Sequence, residues 1–60
     1  MNLEKIRKLC GEKGITIAEL ESKSDLSNGA IAKWGKSTPR ADNLNKVANI
    51  LGTTMEELLK

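Results

Sequence analysis

The segment Thr16 to Trp34, TIAELESKSDLSNGAIAKW, restricts the fold more than any other part of this 60-residue chain. It predicts two short helices joined by a tight turn. Thr16 and Glu19 have the spacing of a capping box, in which the hydroxyl accepts the Glu19 amide and the Glu19 side chain reaches back. Leu20 is the inward residue of the first helix, and Asp25-Leu26 turns the chain. Ser27 is a natural N-cap for the second helix, about 27–34, which carries Ile31 and Trp34 on one face.

The flanks extend the helical pattern. A first helix over about 2–13 puts Leu3, Ile6, Leu9 and Cys10 on one face, and Gly14 ends it. Residues 35–40, GKSTPR, read as a loop, because Pro39 disfavours helical geometry at Thr38. A helix over about 41–51 buries Leu44, Val47, Ala48 and Leu51 and stops at Gly52. The last, about 54–59, can be capped by Thr53 with Glu56 or by Thr54 with Glu57, and contributes Met55 and Leu58 or Leu59. The expected architecture is all-α, five helices in one domain spanning residues 1–60. A chain this short buries only about 60% of its unfolded surface, so each apolar position counts.

Several function classes fall away on composition. No apolar run approaches the roughly 20 residues of a membrane span, and no signal-peptide pattern opens the chain. One cysteine and no histidine leave neither an internal disulfide nor a zinc-site spacing, so no metal or cofactor is expected. Cys10 sits on the apolar stripe of the first helix and reads as packing. With no His or Tyr and carboxylates scattered over helix surfaces, no acid–base or nucleophile–base constellation is visible, which argues against an enzyme. No small-molecule site is evident. These features predict a cytoplasmic, metal-free domain.

The net charge of +2 says little, but its distribution says more. Residues 27–40 hold Lys33, Lys36 and Arg40 with no acid, whereas residues 14–26 hold three acids and one lysine. The acid-free basic stretch coincides with the second helix of the pair and the loop after it. That helix leaves Asn28, Gly29, Ala32 and Lys33 on its outer face. Small, amide and cationic groups together suit a helix whose N-terminal half enters a DNA major groove, where an Asn amide matches adenine N6 and N7. The cations then suit phosphates.

Leu20, Leu26, Ser27, Ile31 and Trp34 have a spacing that resembles the Cro/cI-type (XRE-like) helix-turn-helix regulators of phages and bacteria. Lys13 to Thr16 (KGIT) precede them; Pro39, Leu44, Val47-Ala48, Leu51-Gly52 and the closing Met55 to Leu59 (MEELL) follow at matching places. The resemblance covers essentially the whole chain. It implies a repressor-like domain whose second and third helices form the helix-turn-helix, and a sequence-specific transcriptional regulator bound to double-stranded DNA. Carried onto this sequence, it places Ser27, Asn28, Gly29, Ala32 and Lys33 against bases. Thr16 and Ile17 would offer backbone amides to a phosphate, and Lys36, Ser37, Thr38 and Arg40 would hold the far strand's backbone.

The chain also departs from the family pattern. Ile17 stands where a DNA-touching Gln is common. Glu21 stands where a small residue lets the helices cross, so its side chain is expected to bend out to water or to widen the crossing. On that view Glu21→Ala stabilises the domain. Asp25 replaces the usual turn glycine, and Gly35 follows Trp34 where an acid is frequent. Gly29 inside a helix costs roughly 1 kcal/mol against Ala, which suggests that its backbone lies close to a base or sugar.

One recognition helix reads too few base pairs for useful selectivity, so a homodimer on a palindromic operator is expected. Leu51, Met55, Leu58 and Leu59 are the candidate pairing surface. The length fits either a complete small regulator or the DNA-binding head of a longer protein. The alternative is a protein-interaction module of the same fold, antitoxin-like or anti-repressor-like, working through an apolar surface that includes Ile17.

Overall fold

Three helices of this protein end in the same way, each at a residue that can take a left-handed backbone. The computed structural model describes residues 1–60 and holds five helices and no strand: α1 Glu4–Lys13, α2 Ile17–Lys23, α3 Ala30–Lys33, α4 Ala41–Leu51 and α5 Met55–Leu59. At Gly14, Asp25 and Gly52 the amide returns to the carbonyl three residues back. The next amide, of Ile15, Leu26 or Thr53, returns five residues back. This double closure satisfies carbonyls that a helix end otherwise leaves bare. Asp25, at φ 59°, is the only non-glycine residue with positive φ. Its short polar side chain makes that geometry cheaper than it is for most residues.

The starts are equally local. Thr16 Oγ1 accepts the Glu19 amide at 3.0 Å, and the Thr16 amide donates to Glu19 Oε1 at 3.2 Å, completing the expected capping box. Of the two threonines that could cap the last helix, Thr54 does so, accepting the Glu57 amide at 3.1 Å. Helix α1 begins at Glu4 rather than near residue 2, because Asn2 Oδ1 accepts the Glu4 amide at 2.9 Å from outside the helix.

Helix α4 is the hub, packing against α1, α2 and α5, while α3 is carried on α2. The core holds Ile6 and Cys10 of α1, Leu20, Ile31, Trp34, then Leu44, Val47, Ala48 and Leu51 of α4, and Leu58 of α5. Leu3, Leu9, Ile17, Leu26 and Met55 border it, partly buried. Cys10 is packing, as its place on the apolar stripe predicted, and burial pushes its thiol above the ordinary 9.0. Lys5 Nζ lies 3.7 Å from Glu57 Oε2, tying α1 to α5 at the surface. A hydrogen bond from Lys60, then its charge and that of Lys5, hold the Glu57 carboxyl below its usual range.

Two expectations about apolar side chains need correction. Leu51 and Leu58 are 3% and 1% exposed, so α5 folding back over α4 spends both on the core rather than on a pairing surface. Only Leu59, at 57%, and part of Met55 remain outside.

The largest correction concerns α3. It is a single turn, Ala30–Lys33, and its N-cap is Gly29, not Ser27. Ser27 to Ala30 form a turn closed by the Ala30 amide on the Ser27 carbonyl at 3.0 Å. Gly29 stands at φ 89°, ψ −1°, and Asn28 has no positive φ, which makes the turn type II. Gly29 is therefore required by its left-handed backbone. A Cβ built on it meets nothing within 4 Å, so no close approach inside the chain explains it. After Lys33 the chain continues in tightened turns, with the amides of Trp34, Gly35 and Lys36 each returning three residues back.

Candidate nucleic-acid interface

The polar surface around the turn is organised from beneath by Glu21. Its side chain does not bend out to water: the residue is 3% exposed. Oε1 accepts the Gly29 amide at 3.1 Å and Oε2 accepts the Ile31 amide at 3.0 Å. The carboxylate thus does for α3 what a capping side chain does for an ordinary helix, but from the preceding helix. A negative group suits the positive end of a helix. With the Ala30 amide on Ser27, the amides of Gly29, Ala30 and Ile31 are all satisfied within the chain.

What this platform presents outward is side chains. Ser27 and Asn28 are exposed on the turn, Ala32 and Lys33 are exposed on α3, and Gly29 is half-buried between them. Ser27, relieved of capping, makes no side-chain hydrogen bond, and neither does Asn28. Their functional groups are open to a partner. Asn28 does not stand at the tip of a long helix. It overhangs an open cleft of about 340 Å³ whose other lining residues are Ala18, Glu21, Ser22 and Leu26.

The remaining candidates surround this centre at different distances along the chain. Lys36, Thr38 and Arg40 are exposed in the loop between α3 and α4. Ser37 is exposed too, its hydroxyl donating to the Lys33 carbonyl at 3.2 Å. Arg40 Nε lies 3.4 Å from Asp42 Oδ1, but both side chains are largely exposed, and such a pair is worth little and opens readily. At the other end of the motif, the Thr16 amide is taken by Glu19, so it is not the free phosphate donor that its place at a helix start suggests. Thr16 keeps a hydroxyl proton, while the Ile17 amide has no acceptor within the chain. Trp34, buried at 6% exposure, is a core residue.

Glu21 is the residue that sequence reasoning misplaces. Its signal is a charge where two helices cross, beside small residues at 29 and 30, but a carboxylate bonded across a turn leaves no periodic trace. Ala18 and Ser22, which share the cleft with Asn28, carry no sequence signal that marks them.

No group of three or more His, Cys, Asp or Glu is placed to hold a metal ion, and no helix is long and apolar enough to cross a membrane. No curated protein and no solved structure gives a significant match to the chain. The Cro/C1-type HTH DNA-binding domain matches over residues 5–60, from the first turn of α1 to the last residue. The matched span takes in all of α2, α3 and the turn between them, and the chain belongs to the Cro/C1-type HTH DNA-binding domain family.

Proposed function

We propose that this protein binds double-stranded DNA sequence-specifically as a transcriptional regulator of the repressor type, with the Ser27–Lys33 surface in the major groove. The observation that carries this is the pair Ser27 and Asn28. They are exposed on a turn whose Gly29 and Ala30 amides, with the Ile31 amide after it, are bonded within the chain, so they are held in place yet unengaged. An Asn amide so held can form the bidentate pair with adenine. Lys33, an exposed turn further on, reaches a guanine edge or a phosphate. Ala32 packs against a thymine methyl, and Gly29 lets the backbone approach.

Backbone contacts set register and affinity. Lys36 and Arg40, with the hydroxyls of Ser37 and Thr38, take one strand. The Thr16 hydroxyl and the Ile17 amide take the other. Glu21 and Asp25 place negative charge near the same surface, which disfavours phosphates there and narrows the register to the basic side. In this role the domain works by binding and not by catalysis.

Two copies across a two-fold axis double the base contacts and set half-sites about 34 Å apart. With Leu51 and Leu58 in the core, Leu59 and the exposed part of Met55 are the apolar groups left for pairing. So small a patch gives weak pairing in solution and a dimer chiefly on DNA. Sedimentation with and without a two-half-site duplex tests this, and one chain per duplex at saturation rules the dimer out. The protein-interaction alternative has little surface to use, since Leu59 is the single large hydrophobic side chain left exposed.

Selection of bound sites from random duplex DNA tests the main reading. A recovered consensus with two-fold symmetry supports it. Failure to enrich any sequence, with binding independent of salt, sinks it.

A further inference from the structure

Three amides between residues 26 and 31 end on one residue. Leu26 donates to the Glu21 carbonyl at 2.8 Å, and Gly29 and Ile31 donate to its two carboxylate oxygens. No other side chain hydrogen-bonds to this segment. We infer that Glu21 is a positioning residue for sequence discrimination: it fixes the Ser27–Ala30 turn, and through it the direction in which Asn28 is offered to a base. This rests on the DNA-reading role proposed above.

The physical case has two parts. Helix α3 is one turn long, too short to sustain its own geometry, so the start of the recognition element depends on bonds from outside it. Base reading and phosphate binding then differ in tolerance. A bidentate Asn–adenine pair needs two hydrogen bonds in register with the base edge. The long side chains of Lys36 and Arg40 can follow a phosphate through many rotamers. Loosening the turn therefore removes discrimination before it removes affinity for DNA in general.

Glu21→Gln is the sharpest test. Glutamine has the same shape, but its carboxamide keeps one acceptor oxygen and turns an NH₂ donor toward the second amide. The variant is compared with the unaltered protein on the selected site and on a random duplex, over a salt series. Amide spectra are recorded without DNA. The expected result is a fall of about tenfold in the ratio of specific to random affinity, the scale of one bidentate contact. Random-duplex affinity stays within about twofold, the salt slope is unchanged, and amide shifts move chiefly at Gly29 and Ile31.

If those shifts move while the ratio holds, the bonds do not serve base reading and the inference is overturned. Equal losses on both duplexes overturn it too, by showing a general structural role. Should Glu21→Gln fail to fold, Glu21→Asp takes its place, since it keeps the charge but is one methylene too short to span both amides. It is expected to lose discrimination in the same way, and a retained ratio overturns the inference. A protein that prefers no sequence before any substitution refutes the proposed function and this inference together. A normal preference that survives both variants refutes only this inference.

Discussion

Replacing Glu21 by alanine sets two effects of opposite sign against each other. Helix propensity favours the change, since Ala exceeds Glu by a few tenths of a kcal/mol in a helix such as α2. Against this stand the Gly29 and Ile31 amides, bonded to the carboxylate at 3.1 and 3.0 Å, the second of them buried. A hydrogen bond to a charged acceptor contributes about 1.5–3 kcal/mol, and a buried donor left without a partner costs about 1–3 kcal/mol. Taking the lower end for the part-buried Gly29 bond, the net loss is about 2–4 kcal/mol. A 60-residue domain has only about 3–9 kcal/mol in total. The substitution should therefore lower the melting midpoint by about 15–30 °C. Trp34 is the only tryptophan and sits in the core, so its emission reports global unfolding directly. Urea titrations followed at Trp34, compared at equal slope, give the change in stability. A midpoint equal to or above that of the unaltered protein would refute the reasoning and restore the simpler view, in which removing a charge from a helix crossing is a gain.

Four further outcomes are expected. Ser24 is buried, and its hydroxyl has no hydrogen-bond partner, so Ser24→Ala should raise stability by about 1 kcal/mol in the same titration; a loss would point to an unrecognised acceptor. Asn28→Ala should weaken binding to the selected site by about 1–3 kcal/mol and leave random duplex nearly unaffected, whereas parallel losses would remove Asn28 from base reading. Lys36→Ala and Arg40→Ala should weaken binding to all sequences alike and flatten the salt slope by roughly one unit for each phosphate no longer neutralised; unchanged slopes in both would place that loop off the DNA. Burial raises the Cys10 thiol above 9.0, the value it regains on unfolding, so stability should fall as pH rises past about 9. Thermal midpoints of the protein and of Cys10→Ala between about pH 7 and 10 check this: the fall attributable to the thiol should be missing from the variant.

Much of the fold can be read along the chain because the forces involved are local. The Thr16–Glu19 box, the stops at Gly14 and Gly52, the Asp25 turn and the α4 stripe of Leu44, Val47, Ala48 and Leu51 each depend on residues close together in sequence. Of the candidate site, the outward placement of Asn28, Lys33 and the loop cations is legible for the same reason. The start of α3 is not. Ser27 satisfies every local criterion for an N-cap, but the acceptors that α3 uses come from a residue eight and ten positions upstream. That is a tertiary bond, and no periodicity announces it. The burial of Leu51 and Leu58 is hidden for a related reason: a stripe shows which face is apolar, while the angle at which α5 returns decides whether that face is covered.

The dependence of α3 on Glu21 bears on how new specificities can arise in this scaffold. In a regulator whose recognition helix is long and self-capped, the reading element can be exchanged between relatives as a cassette. Here the cassette has a root in the neighbouring helix. Under the DNA-reading role proposed above, moving residues 27–34 into a host with alanine at position 21 would transfer the letters of the code without the frame that holds them. Conversely, side chains at 27, 28, 32 and 33 can vary while the frame persists, because none of them makes the bonds that build it. Diversification of this domain is thus channelled: readily by substitution within the turn and α3, and poorly by grafting.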